Sequence, residues 1–105
     1  MTTFVLIHGA FQGGWIWKLV ANRLRNAGHM VYTPTLDGCG ERAFQLRLGI
    51  TTESQAEEIA RFLWSEDLRD VVLVGASAGG MVMAKTAELA RDRIERLVFS
   101  DALAL

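Results

Sequence analysis

Apolar and polar positions along the chain follow two alternating periods. "TFVLIHG", Thr3 to Gly9, is a short, β-branched apolar run closed by a glycine, the pattern of a strand buried on both faces. In "WIWKLVANRLRNAG", Ile16, Leu19, Val20, Leu24 and Ala27 recur at helical spacing, while Lys18, Asn22, Arg25 and Asn26 fall elsewhere. Gly28 stands where a helix commonly stops. "HMVYTPT" predicts a second strand opened by His29 and ended by Pro34. The loop "LDGCGER" and the less patterned "AFQLRLGI" follow. Thr52 and Gln55 fit a capping box at the head of a second helix, with Ala56, Ile59, Ala60, Leu63 and Trp64 on one face and Glu57 four residues before Arg61 on the other. "VVLV" predicts a third strand, and Ala78 to Ala90 a third helix whose first two turns are apolar nearly all round, hence packed on more than one side. "RLVFS" predicts a fourth strand. No repeat, low-complexity tract or linker interrupts this order, which is that of an α/β fold: a parallel sheet with flanking helices and right-handed crossovers.

Composition sharpens this picture in one respect. A chain of 105 residues forms one domain at most, and a body of this size hides only about two-thirds of the surface its unfolded form exposes. Yet half of the residues are hydrophobic and the mean hydropathy is +0.20. Either the sheet is covered on both faces, or some apolar surface is covered by protein outside this chain. A net charge of −1 without a basic run gives no electrostatic footprint for nucleic acid or an anionic membrane. A single cysteine, Cys39, rules out an internal disulfide and a Cys-rich zinc site, and no metal or organic cofactor is expected. The start "MTTFVLIHGA" lacks a basic leader region, and no segment nears the ~18 apolar residues of a membrane span. A cytoplasmic protein is the expectation.

In a parallel sheet, chemistry gathers at the C-terminal ends of the strands. There, "VVLVGASAGG" places Gly75-Ala76-Ser77-Ala78-Gly79 between a strand and a helix, a match to G-x-S-x-G in the context that motif requires. The spacing has a physical cause. The serine must sit on a sharp, unfavourable turn for its hydroxyl to project above the sheet, and the residues two before and two after it must lack bulk where strand and helix crowd. The same turn aims the Ala78 amide at the serine's reaction centre, at a helix N-terminus that favours negative charge. After the first strand, "HGAFQGGW" offers Gly9 and the amide of Ala10 or Phe11 as the second oxyanion donor.

Taken together, "FVLIHGAFQGGWIWKLVANRLRNAGHMVYTPTLDGCG", "VVLVGASAGGMVM" and "RLVFSDAL" resemble the α/β-hydrolase superfamily, in particular the branch of plant-type methylesterases, hydroxynitrile lyases and their bacterial esterase relatives. The resemblance implies Ser77 as nucleophile, the amides of Ala78 and Ala10 as the oxyanion hole, and the first and third strands side by side. Hydroxynitrile lyases of this branch carry an acidic residue just before the serine and the esterases usually a histidine. Ala76 is neither, which argues against lyase chemistry and leaves hydrolysis of a small carboxylic ester. In that family the acid and the histidine follow later strands. Residues 1–105 are therefore expected to be the N-terminal portion of a single hydrolase domain, active only with a remainder that is absent or carried on a second polypeptide.

The remaining polar residues are expected to do structural work. A serine nucleophile needs a base, usually a histidine oriented by a carboxylate. His8 is expected to fix the oxyanion loop by hydrogen bonds, and His29, opening the second strand, lies roughly 15 Å from the serine's edge. Asp101 is expected to take a surface or strand-capping role, Asp37 and Arg42 to tie their loop down, and Cys39 to be an ordinary loop thiol. Trp15 and Trp17 are expected to pack at the start of a helix, and Phe11 and Gln12 to line the acyl or alcohol pocket. Two rival readings stand beside the hydrolase. One is an inactive relative that binds a small ligand in the same pocket. The other is a dinucleotide-binding domain, suggested by the glycines of "HGAFQGG" and by Asp37 ending the second strand, although Trp15 fills the fingerprint's last glycine position.

Overall fold

In the computed structural model, which describes residues 1–100, the chain runs β1 (Thr3–Ile7), α1 (Lys18–Asn26), β2 (Met30–Tyr32), α2 (Thr52–Ser65), β3 (Val71–Ala76), α3 (Gly79–Leu89) and β4 (Ile94–Ser100). Asp101 and the apolar "DALAL" that it opens lie outside the described residues. Short 3₁₀ turns at Gly14–Trp17, Gly40–Gln45 and Arg91–Arg93 precede α1, fill the loop after β2 and lead into β4. The four strands form one sheet in the order β2-β1-β3-β4, and every pairing is parallel. Parallel strands need helical crossovers to return the chain, which is why strand and helix alternate here. β1 and β3 occupy the middle, where both faces are covered, and Val5, Leu6, Ile7, Val71, Val72 and Leu73 are all buried.

The two faces are covered unequally. On one, α2 and α3 pack Ala56, Ile59, Ala60, Leu63, Val82 and Met83 against Val5, Ile7, Val71 and Leu73. On the other, Trp17 and Ala21 cover Leu6 and Val31, with Phe4, Val74 and Ala76 alongside. Each fully buried aliphatic side chain contributes about 1.5–3 kcal/mol, so the α2/α3 face holds most of the hydrophobic stabilisation. β4 is seven residues long, two more at its start than the sequence pattern predicts, and its Val98 and Phe99 are exposed.

Local signals set the helix ends. α1 closes in a Schellman motif, in which Gly28 (φ 92°) donates to the Arg25 carbonyl at 3.0 Å and His29 donates to the Leu24 carbonyl at 3.1 Å. The capping box of α2 lies one residue earlier than predicted. Thr51 Oγ1 accepts from the Ser54 amide at 3.0 Å and Ser54 Oγ accepts from the Thr51 amide at 2.8 Å, leaving Thr52 and Gln55 inside the helix. Two predicted helix faces also shift. Leu19 (79% exposed) and Val20 (45%) face away from the sheet, because the inward stripe of α1 runs through Trp17, Ala21 and Leu24 instead. Trp64 is likewise exposed at the end of α2. Among the described residues Glu57 and Arg61 form no ion pair, and the neighbouring Glu58 reaches Arg42 instead.

Candidate active site

α1 and α3 leave the central strands toward opposite faces of the sheet. The crevice between the loops after β1 and β3 is thus a topological switch point, where α/β sheets bind ligands. Ile7 pairs in register with Gly75, which brings the next residues of both strands together above the sheet.

The turn after β3 carries Ser77 at φ 53°, left-handed backbone that a non-glycine residue holds only at a cost of about 1–3 kcal/mol. Crowding enforces it. A Cβ on Gly75 would lie 3.0 Å from the Gly79 carbonyl oxygen, and one on Gly79 would collide with the backbone carbonyl of His8 and come 2.8 Å from that of Ile7. Both glycines of the motif are therefore steric requirements. The serine side chain is exposed and, among the described residues, its hydroxyl has no hydrogen-bond partner.

The turn after β1 reaches the same point from the other side. A Cβ on Gly9 would sit 3.0 Å from Ser77 Cβ. Ala10 is exposed beside it, and Phe11 is held at φ 62° with 96% of its surface exposed. Among the described residues neither the Ala10 amide nor the Ala78 amide at the head of α3 is bonded to another group. Phe11, Ala10 and Ala78 line a mostly apolar cavity of about 480 Å³ that continues under the loop after β2 along Leu36, Cys39 and Val82. Ser77 stands next to this cavity rather than in its lining. Gln12 does not line it either, because its side-chain oxygen is taken by the Gly9 amide at 2.9 Å.

His8 is fully buried and both its ring nitrogens are engaged. Nδ1 lies 2.6 Å from the Gly9 carbonyl oxygen, and Nε2 accepts from the Leu36 amide at 2.8 Å. An accepting Nε2 fixes the neutral tautomer with its proton on Nδ1. Burial holds the ring's pKa below its ordinary value, against the opposing pull of the Gly9 carbonyl and Glu41. His8 therefore joins the loops after β1 and β2, as its position suggested. His29 lies at the far end of the sheet, where Nδ1 accepts from the Thr2 amide at 3.0 Å and the ring meets Phe4 edge-on.

The loop after β2 is held by charge. Asp37 pairs with Arg47 through two bonds of 3.1 and 2.8 Å, and lies 3.6 Å from Arg42. The Arg47 hydrogen bond, chiefly, holds the Asp37 carboxyl below the usual carboxylate range. Arg42 forks onto Glu58 and also donates to the Thr35 carbonyl at 2.9 Å. Thr35 Oγ1 accepts from the Gly14 amide at 2.9 Å and donates to Glu41 at 2.6 Å, which links this loop to the start of α1. Asp37 and Arg42 tie the loop down as expected, whereas Thr35, Glu41, Arg47 and Glu58 carry no sequence signal for these partnerships. With Asp37 bound to Arg47, the carboxylate that a dinucleotide's ribose would need is already engaged. Cys39 packs against the core, with Gln55 Nε2 3.9 Å from its sulfur. Trp17 is buried and Trp15 stands exposed at the rim. Among the described residues no cluster of three or more His, Cys, Asp or Glu side chains is placed to hold a metal, and no helix is long and apolar enough to cross a membrane.

The chain is similar to known proteins along nearly its whole length. A carbendazim hydrolyzing esterase from Nocardioides sp. (strain SG-4G) is 43% identical over 102 residues, which make up 97% of this chain and 42% of that protein. An alpha-hydroxynitrile lyase of Arabidopsis thaliana is 33% identical over 100 residues, 94% of this chain and 39% of that protein. An extracellular alpha/beta-hydrolase from a Paenibacillus species, described as sharing structural and functional homology with tobacco salicylic acid binding protein 2, superimposes with a TM-score of 0.91 at 37% identity, covering all of this chain and 42% of that one. The chain thus spans about two-fifths of the length of the curated relatives it matches. Residues 4–105 match the model of the same family as well, and with a parallel sheet flanked by helices on both faces the chain belongs to the alpha/beta hydrolase family.

Proposed function

We propose that the complete protein is a serine hydrolase that cleaves a small carboxylic ester through an acyl-enzyme, with Ser77 as nucleophile and the Ala10 and Ala78 amides as oxyanion donors. The observation that carries this reading is the left-handed backbone of Ser77. A serine gains no stability from φ 53°, and strain of that kind clusters at active sites; here it sits between two sterically required glycines at the switch point. In the proposed reaction Ser77 Oγ attacks the ester carbonyl while its proton passes to a base, and the negative charge that develops on the carbonyl oxygen is met by the two amides. Collapse expels the alcohol, which takes up the proton. Water then attacks the acyl-serine and releases the acid. The apolar cavity beside Ala10 and Phe11 suits an uncharged part of such an ester.

The base is proposed to come from elsewhere in the hydrolase domain, together with its carboxylate. Both nitrogens of His8 are committed to the loops, and His29 is at the opposite end of the sheet. A further portion of the domain, on the same or a second polypeptide, is supported by the two-fifths coverage of the relatives and by β4, which pairs only with β3 among the described residues. Ala76, neither acidic nor histidine, favours hydrolysis over lyase chemistry.

The test is Ser77→Ala in the complete enzyme with an aryl ester as substrate. Turnover is expected to fall by about 10⁴- to 10⁶-fold with the fold intact, since nucleophile and base act as a unit. A variant that keeps more than a tenth of the wild-type rate overturns the assignment. A wild-type protein that binds esters in the cavity without turning them over would favour an inactive ligand-binding relative.

A further inference from the structure

We propose that Gln12 is a positioning residue for the oxyanion hole: it locks the peptide groups on both sides of Gly9 and so aims the Ala10 amide at a carbonyl held over Ser77. The inference rests on the serine-hydrolase reading above.

Gly9 to Gln12 form a turn closed by the Gln12 amide donating to the Gly9 carbonyl at 3.3 Å. That distance is beyond the usual range for a backbone bond, and the third residue, Phe11 at φ 62°, occupies a position that favours glycine. Backbone preference alone therefore holds this turn weakly. The Gln12 side chain supplies the missing constraint by folding back over Gly9, where its Oε1 accepts from the Gly9 amide at 2.9 Å. It packs so closely that a Cβ on Gly9 would lie 2.9 Å from that oxygen. One residue thus holds the peptide before Gly9 through its side chain and the peptide after it through its backbone, where His8 Nδ1 adds a second bond to the same carbonyl at 2.6 Å.

Planarity converts this into aim. In a trans peptide the carbonyl of one residue and the amide of the next lie in one rigid plane and point in opposite directions. Fixing the Gly9 carbonyl toward His8 and Gln12 therefore fixes the Ala10 N–H away from them, on the exposed side beside Ser77. A carboxamide serving only as a substrate contact would keep its oxygen free, whereas this one spends its oxygen on the Gly9 amide and is not among the groups that line the cavity.

The test compares Gln12→Leu with wild type in the complete enzyme, reading kcat, KM and the inhibition constant of an aryl trifluoromethyl ketone, whose serine adduct places an oxyanion in the hole. We expect kcat to fall about tenfold, short of the loss for deleting a donor. KM should stay within about twofold, and the ketone should weaken in step with kcat, because a donor that acts only on the charged state affects both equally. Unchanged kcat, a loss confined to KM, or a lower kcat with undiminished ketone affinity would each overturn the proposal. Gln12→Met, unbranched and of similar length, carries the same test should the leucine variant fail to fold. Ser77→Ala assayed alongside separates the two claims: if it remains active the hydrolase reading fails, and if it is dead while Gln12→Leu is unimpaired only the role of Gln12 fails.

Discussion

Two turns meet at the switch point, and each holds a non-glycine residue in left-handed backbone: Phe11 at φ 62° after β1 and Ser77 at φ 53° after β3. They are held by different means. The β3 turn is held by exclusion, since Gly75 and Gly79 let strand and helix approach until only one path remains for the chain between them. The β1 turn is held by hydrogen bonds, with the Gly9 carbonyl bonded to His8 Nδ1 and the Gly9 amide donating to Gln12 Oε1. Steric exclusion fixes a position rigidly but needs glycines that cannot vary, while polar locks tolerate varied sequence and depend on protonation and on each partner. The difference suits the two roles proposed for them, a reacting atom on the rigid turn and an amide whose direction matters on the locked one.

Removing the donor breaks this comparison most severely. Ala10→Pro deletes the amide and should lower kcat by roughly 10²- to 10³-fold with a smaller change in KM, with circular dichroism confirming the fold. A large KM effect with kcat untouched would make the β1 turn a substrate contact instead. The strain at Ser77 is the next target. Ser77→Gly removes the penalty of left-handed backbone and should raise the thermal midpoint relative to Ser77→Ala by an amount corresponding to about 1 kcal/mol. Equal midpoints would mean that the elbow stores no strain.

Protonation of the polar lock is the last target. His8 has its pKa lowered by burial, so between the ordinary value of about 6.5 and its folded value the unfolded chain binds more protons than the folded one. Stability therefore falls as pH drops through that window, by no more than about 1.4 kcal/mol per pH unit for one proton. Asp37, depressed chiefly by Arg47, adds a loss at lower pH, since its contribution is complete above the ordinary carboxylate pKa and disappears as pH falls through the folded value. Thermal midpoints measured from pH 7 to pH 5 should slope downward in the wild type and flatten in His8→Asn. Parallel curves would show that His8 is not the group responsible.

The sheet, the order of its elements and the elbow were legible because each rests on local pattern: apolar runs of strand length, glycines two residues either side of a serine, Gly28 at the end of α1. Faces and partners were less so. α1 carries two apolar stripes at helical spacing, and the pattern alone does not say that the one through Trp17 and Ala21 faces the sheet while Leu19 and Val20 stay outside. Thr51 and Ser54 form the cap that Thr52 and Gln55 were expected to make, because serine at N3 replaces the longer side chain usual there. The partners Arg47 and Glu58 lie 10 and 16 residues from Asp37 and Arg42, and only the folded loop brings them together. Gln12, expected at the substrate, is turned onto Gly9 by a hydrogen bond from the Gly9 amide that the sequence pattern does not reveal.

Covalent labelling tests the central claim most directly. The complete enzyme, treated with a fluorophosphonate and digested, should carry a single phosphonyl group on Ser77, and loss of esterase activity should track its occupancy. A label on any other residue, or full inactivation with Ser77 unmodified, would contradict the account.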